Sequence, residues 1–110
     1  MAVKKPTLYL LCGPVSAAKS AQVEFFATEH GVEVISIDAV NARRGYPSDD
    51  LRIDTSVIEE SVEVILFEII TAGMSGQSIA FNDVSGDQSL LDRYRANAVG
   101  SGMRVEEITF

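Results

Sequence analysis

The chain has 110 residues, of which 46% are hydrophobic and 23% charged, a balance that excludes an unfolded chain and suits one domain burying roughly 65% of its unfolded surface. Its net charge of −7, with a pI near 4.5, excludes a broad basic surface for nucleic-acid backbones, although Lys19 and "NARRG" (41–45) leave room for a local positive pocket. The single cysteine, Cys12, excludes an internal disulfide and reads as a buried, reduced thiol inside an apolar run.

Lys4 and Lys5 precede only "LYLLC", far too short for a signal segment or a membrane span. A soluble, cytoplasmic protein with no membrane partner is therefore expected. "TLYLLC" (7–12) is a continuous apolar run ending at Gly13-Pro14, the pattern of a strand buried on both faces. Val23, Phe26, Ala27 and His30 then recur with helical spacing over 19–30, and Gly31 sits where a left-handed stop belongs. "VEVISI" (32–37) predicts a second strand running into Asp38, followed by a short helix over 39–44 and a turn-rich loop over 44–50.

Ser56 and Glu59 have the spacing of a capping box, and Ile58, Val62, Leu66 and Ile69 predict a helix over 56–74. "SIAFNDV" (78–84) predicts a third strand, and 89–99 a helix with Leu91, Tyr94 and Ala98 on one side. "MRVEEITF" (103–110) predicts a fourth strand. The order β-α-β-α-α-β-α-β implies an α/β fold of three αβα layers around a short parallel sheet of about four strands, joined by right-handed crossovers. In such a sheet the ligand site lies at the carboxyl ends of the strands. Gly13–Ser20, Asp38 and Asp83 all fall there.

"GPVSAAKS" (13–20) keeps the glycine, lysine and serine of the phosphate-binding pattern G-x-x-x-x-G-K-[ST], with Ala18 in place of the second glycine. A strand-loop-helix of this kind turns backbone N–H groups inward and adds the positive end of the helix dipole. The candidate nucleotide contacts are Gly13, Pro14, Ser16, Ala17, Ala18, Lys19 and Ser20. Lys19 offers a point charge to the outer phosphates, and Ser20 a hydroxyl for a magnesium ion. Were φ positive at Ser16 or Ala18, each non-glycine residue there would cost about 1 kcal/mol or more.

Asp38 has two readings: a base accepting the proton of a substrate hydroxyl, or the N-cap of helix 39–44. Asp83 either orients magnesium through water or is a turn residue before "VSGD". Arg43 and Arg44 either clamp a phosphate on the acceptor or form a solvated helix end. His30 reads as a capping or surface residue, and Glu59, Glu60, Glu63 and Glu68 as a solvated helix face. No cluster has zinc spacing and no G-x-S-x-G elbow is present.

The combination of "LYLLCGPVSAAKS", "VISIDAVNARRG" and "GQSIAFNDVSGDQSLLDRYRANAVGSGMRVEEITF", with helix 56–74 between the last two, resembles the P-loop kinase-like family of small phosphotransferases. That family includes 5′-hydroxyl polynucleotide kinases, zeta-toxin-like kinases and AAA-type ATP-binding kinases. The resemblance covers essentially the whole chain as a single domain, 1–110, that stops after the fourth strand. It implies ATP or GTP as phosphoryl donor with Mg2+, Lys19 and Ser20 as phosphate and magnesium ligands, Asp38 as general base, and Asp83 as a magnesium partner. The acceptor it implies is a small hydroxyl-bearing molecule or a nucleic-acid 5′ end.

The chain departs from the family at Ser16 and Ala18, which replace loop glycines. Asn41 stands where an acceptor-binding arginine usually falls, and a chain that stops after the fourth strand is expected to lack the later lid with its arginines. The alternative to an active kinase is a catalytically dead relative that binds or assembles through the same fold. An open sheet edge beyond the fourth strand would invite a second copy of the chain.

Overall fold

Why the first apolar run is buried on both sides becomes plain in the computed structural model, which describes residues 5–110. Lys4 lies outside those residues. The elements follow in the expected order: β1 (Thr7–Cys12), α1 (Ala17–His30), β2 (Glu33–Ile35), α2 (Ile37–Arg43), α3 (Thr55–Met74), β3 (Ile79–Asn82), α4 (Gln88–Gly100) and β4 (Arg104–Thr109). They build one four-stranded sheet in the order β2-β3-β1-β4, and every adjacent pair is parallel. β1 therefore sits between two strands and under two layers of helix.

One face of the sheet packs Leu8, Leu10, Ile35, Ile79 and Phe81 against Val40, Val62, Ile65, Ile69, Leu91, Tyr94 and Ala98 of α2, α3 and α4. The other packs Leu11 and Ala80 against Val23 and Phe26 of α1, with Tyr9, Val34 and Ile108 at the margins. The three-layer αβα architecture read from the sequence is thus the observed one. No helix among the described residues is long and apolar enough to cross a membrane.

The boundaries differ where polar side chains outcompete the expected caps. Ser36 is extended (φ −152°) and its hydroxyl accepts from the Ala39 N–H, so α2 starts at Ile37 and β2 ends at Ile35. Asp38 is therefore a residue of the first helical turn and not the cap. Asp54, whose carboxylate accepts from the Val57 N–H at 2.9 Å, caps α3, which places Ser56 inside the helix and removes the expected capping box. The buried stripe of α3 also runs through Val57, Ser61, Val62, Ile65, Ile69 and Ala72. Ile58, expected inside, is 39% exposed.

Candidate functional site

The segment after β1 starts with Gly13 at φ +137°, and a Cβ there would lie 2.9 Å from the main-chain oxygen of Phe110, so glycine is required on two counts. Ser16 then caps α1: its hydroxyl accepts from the Lys19 N–H at 3.0 Å, and its carbonyl accepts from the Ser20 N–H at 3.1 Å. Ala17 and Ala18 belong to the first turn of the helix. Ser16 has φ −163°, and no described residue other than glycine has positive φ. The strain anticipated for Ser16 and Ala18 is absent because the helix begins two residues earlier than expected, at Ala17, with Ser16 extended before it.

Lys19 is only 4% exposed. Its ammonium donates to the main-chain oxygens of Gly13, at 2.8 Å, and of Asp83. Burial lowers its pKa from the ordinary lysine value, and the nearby Asp83 charge opposes that shift in part. Lys19 thus ties the β1–α1 loop to the end of β3. Ser20 lies on the next position of α1, its hydroxyl donating to the Ser16 carbonyl at 3.2 Å.

Asp83 is 3% exposed and follows β3 directly, where its N–H donates to Leu11 O at 2.9 Å. One carboxylate oxygen accepts from the Ser85 hydroxyl at 2.8 Å and from its N–H at 3.3 Å; the other accepts from the Gly86 N–H at 3.0 Å. Only the small residues of "VSGD" hint at this cradle in the sequence. Asp38 and Asp83 share a narrow cleft of about 90 Å3 with Ser36, Phe81 and Ser85. Asp83 also lines a wider cleft of about 300 Å3, walled by Cys12, Gly13, Pro14, Gln88 and Glu107.

Sequence reasoning missed Glu107 and took Cys12 as buried. Cys12 is only partly buried, and it opens on the wider cleft with its sulfur 3.8 Å from Glu107 Oε1. Burial, and then the Glu107 charge, push its thiol pKa up. The alternation of β4 puts Glu107 beside Leu10 of β1, near the carboxyl end of the sheet. Larger concavities lie elsewhere, one of about 360 Å3 at the amino ends of the strands beside His30, Glu33 and Gln77. It lacks the lysine, the loop and the paired aspartates.

Arg43 and Arg44 do not join the clefts. Arg43 pairs with Glu68 of α3 at 2.7 Å. Arg44 reaches Val57 O at 2.9 Å, the Ser61 hydroxyl at 2.6 Å and the Glu60 carboxylate. Asn41, 2% exposed, accepts from Ser61 in the same α2–α3 contact. Glu59 and Glu63 likewise meet Arg93, so the glutamate face, solvated as expected at Glu59, Glu60 and Glu63, is ion-paired as well. Exposed His30 stacks on Phe26 at 4.0 Å with its Nδ1 at 3.0 Å from Phe26 O, at the end of the sheet away from the loop.

Among the described residues no three His, Cys, Asp or Glu side chains converge to hold a metal ion. The Ser20 hydroxyl donates to Ser16 O, and the Asp83 carboxylate accepts from Ser85 and Gly86. By chemistry both are hard oxygen donors of the kind magnesium takes when phosphates and waters complete its shell.

No protein-family profile matches the sequence, and no curated protein matches it. Solved structures do. A candidate kinase from Chloroflexus aurantiacus J-10-fl is 17% identical with a TM-score of 0.75, over 96% of this chain and 58% of that one. A chain of the Pnkp1/Rnl/Hen1 complex is 12% identical with a TM-score of 0.79, over 96% of this chain and 35% of that one. The hexameric APS kinase from Thiobacillus denitrificans is 16% identical with a TM-score of 0.69, over 97% of this chain and 22% of that one. At these identities the likeness establishes the fold, which is that of the P-loop kinases. The chain spans between about a fifth and three fifths of the length of these neighbours.

Proposed function

We propose that this chain is a nucleotide-binding, kinase-like domain that transfers the terminal phosphoryl group of ATP or GTP to a hydroxyl acceptor. The observation that carries the reading is Lys19. A lysine buried at the carboxyl ends of parallel strands, in the first turn of the helix that follows a glycine loop, is expensive to keep without a task. It holds the loop closed through two carbonyls, and an incoming phosphate offers its ammonium a better, charged acceptor.

In this reading Gly13, Pro14, Ser16, Ala17, Ala18, Lys19 and Ser20 surround the phosphates, with the amides at the start of α1 that Ser16 does not take up serving as donors. Ser20 and Asp83 would hold magnesium, which when bound offsets the charge of the phosphate oxygens. Asp38, in the cleft shared with Asp83, takes the proton of the acceptor hydroxyl. The hydroxyl oxygen then bonds to the terminal phosphorus as the bond to the bridging oxygen breaks, and the nucleoside diphosphate leaves. Arg43 and Arg44 act on the acceptor only if α2 releases them from Glu68 and Glu60.

The net charge of −7 favours a small hydroxyl-bearing acceptor over a long nucleic acid, with a nucleic-acid 5′ end as the other class to test. Such chemistry belongs in the cytoplasm, where both nucleotides are abundant. One observation supports a second reading, a catalytically inert relative: Ser16 already satisfies the Lys19 and Ser20 amides.

The test is transfer of labelled terminal phosphate, with magnesium, to a 5′-hydroxyl oligonucleotide and to a panel of nucleosides and small alcohols. The account predicts a labelled product with the wild type and none with Asp38→Asn. Label transfer that survives Asp38→Asn removes Asp38 from the reaction. No product with any acceptor favours the inert reading.

A further inference from the structure

Asp83 is 3% exposed, yet among the described residues no cationic side chain forms an ion pair with its carboxylate. Lys19 donates to the main-chain oxygen of Asp83 and not to its side chain. A buried carboxylate is normally paired with a cation or bound to a metal. Here neutral donors hold it, all from the turn "DVSGD" (83–87) that follows β3.

The spacing of that turn decides which atoms meet. A serine two residues after the aspartate, and a glycine three after, bring a hydroxyl and two N–H groups back onto the carboxylate. Gly86 turns at φ +68°, and its N–H donates to Oδ2 at 3.0 Å. Ser85 gives Oδ1 its hydroxyl hydrogen at 2.8 Å and its N–H at 3.3 Å. The direction of that hydroxyl is fixed, because a serine has one hydrogen to give and an ionised carboxylate can only accept. The same hydroxyl oxygen accepts from the Asp87 N–H at 3.1 Å. Asp87 in turn caps α4, accepting from the Leu90 N–H at 3.3 Å. Ser85 thus fastens the Asp83 carboxylate to the start of a helix.

A carboxylate oxygen has two acceptor places. Both places on Oδ1 are taken by Ser85, whereas Oδ2 keeps one beyond the Gly86 bond. We infer that Ser85 is a positioning residue for the magnesium ion that accompanies the nucleotide: by filling Oδ1 and fixing the carboxylate plane, it leaves Oδ2 of Asp83 as the oxygen that takes the ion. The inference rests on the nucleotide-binding reading above and adds to it a residue that acts only through Asp83. Hydrogen-bond partners behind a metal-binding carboxylate set its orientation, and losing one typically weakens metal binding about 10–100-fold.

The experiment is calorimetric titration of ATP into the wild type, Ser85→Ala and Ser85→Thr, once with magnesium and once with EDTA, with circular dichroism to confirm that each folds. Ser85 is exposed, so its substitution spares the core. The wild type is expected to bind ATP more tightly with magnesium. Ser85→Ala should lose about tenfold or more of that magnesium-supported affinity while binding in EDTA stays unchanged, and Ser85→Thr, which keeps the hydroxyl, should retain it. Magnesium-supported affinity that survives Ser85→Ala overturns the inference, as does a loss that is equal in EDTA or equal in Ser85→Thr. A wild type that binds ATP equally well with and without magnesium also overturns it, and leaves the nucleotide-binding reading standing. A wild type that binds no ATP overturns both.

Discussion

Replacing Lys19 by methionine keeps the length and apolar stem of the side chain and removes only its charge and donors. The loss is therefore electrostatic and not a cavity. Two carbonyl oxygens, those of Gly13 and Asp83, lose a charged donor. Hydrogen bonds to a charged group contribute about 1.5–3 kcal/mol each, but here the cost of burying the ammonium cancels part of that gain. A net loss of about 2 kcal/mol follows, a fall in Tm of roughly 9 °C for a domain of this size.

The pH dependence has a fixed sign. Unfolded, Lys19 titrates near its ordinary value of 10.5; folded, burial lowers that value. Between the two the unfolded chain binds more protons, so the wild type gains stability as pH rises toward 10.5. The methionine variant has nothing to titrate there. The stability gap between wild type and Lys19→Met, measured by urea unfolding at several pH values, should therefore widen from neutral toward alkaline pH. A gap below about 0.5 kcal/mol at neutral pH, or one that narrows as pH rises, refutes the argument.

Gly13→Ala forces a side chain into φ +137° and against Phe110 O, at a cost of about 1–3 kcal/mol that thermal denaturation reads directly. Tyr94 is fully buried and its hydroxyl has no partner among the described residues, so Tyr94→Phe should leave Tm unchanged or raise it. A clear fall would mean that the hydroxyl is bonded in solution. Ser16→Gly keeps an acceptable N-cap at a cost of a few tenths of a kcal/mol while freeing the Lys19 amide. It should tighten magnesium-nucleotide binding in a fluorescence titration, and unchanged affinity would show that the cap does not compete with phosphate.

Much of the fold was legible because its signals are local. A two-sided apolar run gave β1, helical spacing gave α1, α3 and α4, and the alternation of elements gave the parallel sheet. The loop was legible because glycine, lysine and serine keep their spacing between a strand and a helix. What escaped depends on competition or on distant neighbours. Two cap candidates, Ser36 and Asp38, lie within one turn, and only the backbone decides that Ser36 wins. Arg43 and Arg44 carry no local sign that Glu68 and Glu60, 25 and 16 residues on, would hold them on α3. Glu107 enters the cleft only through the register of β4 on β1.

The central claim is that the loop around Lys19 grips a nucleotide. Its most direct test is calorimetric titration of the protein with magnesium-ATP and magnesium-GTP, with Lys19→Ala alongside. The account predicts saturable heat that vanishes in the variant. No heat at millimolar nucleotide, or equal binding by both proteins, would contradict it.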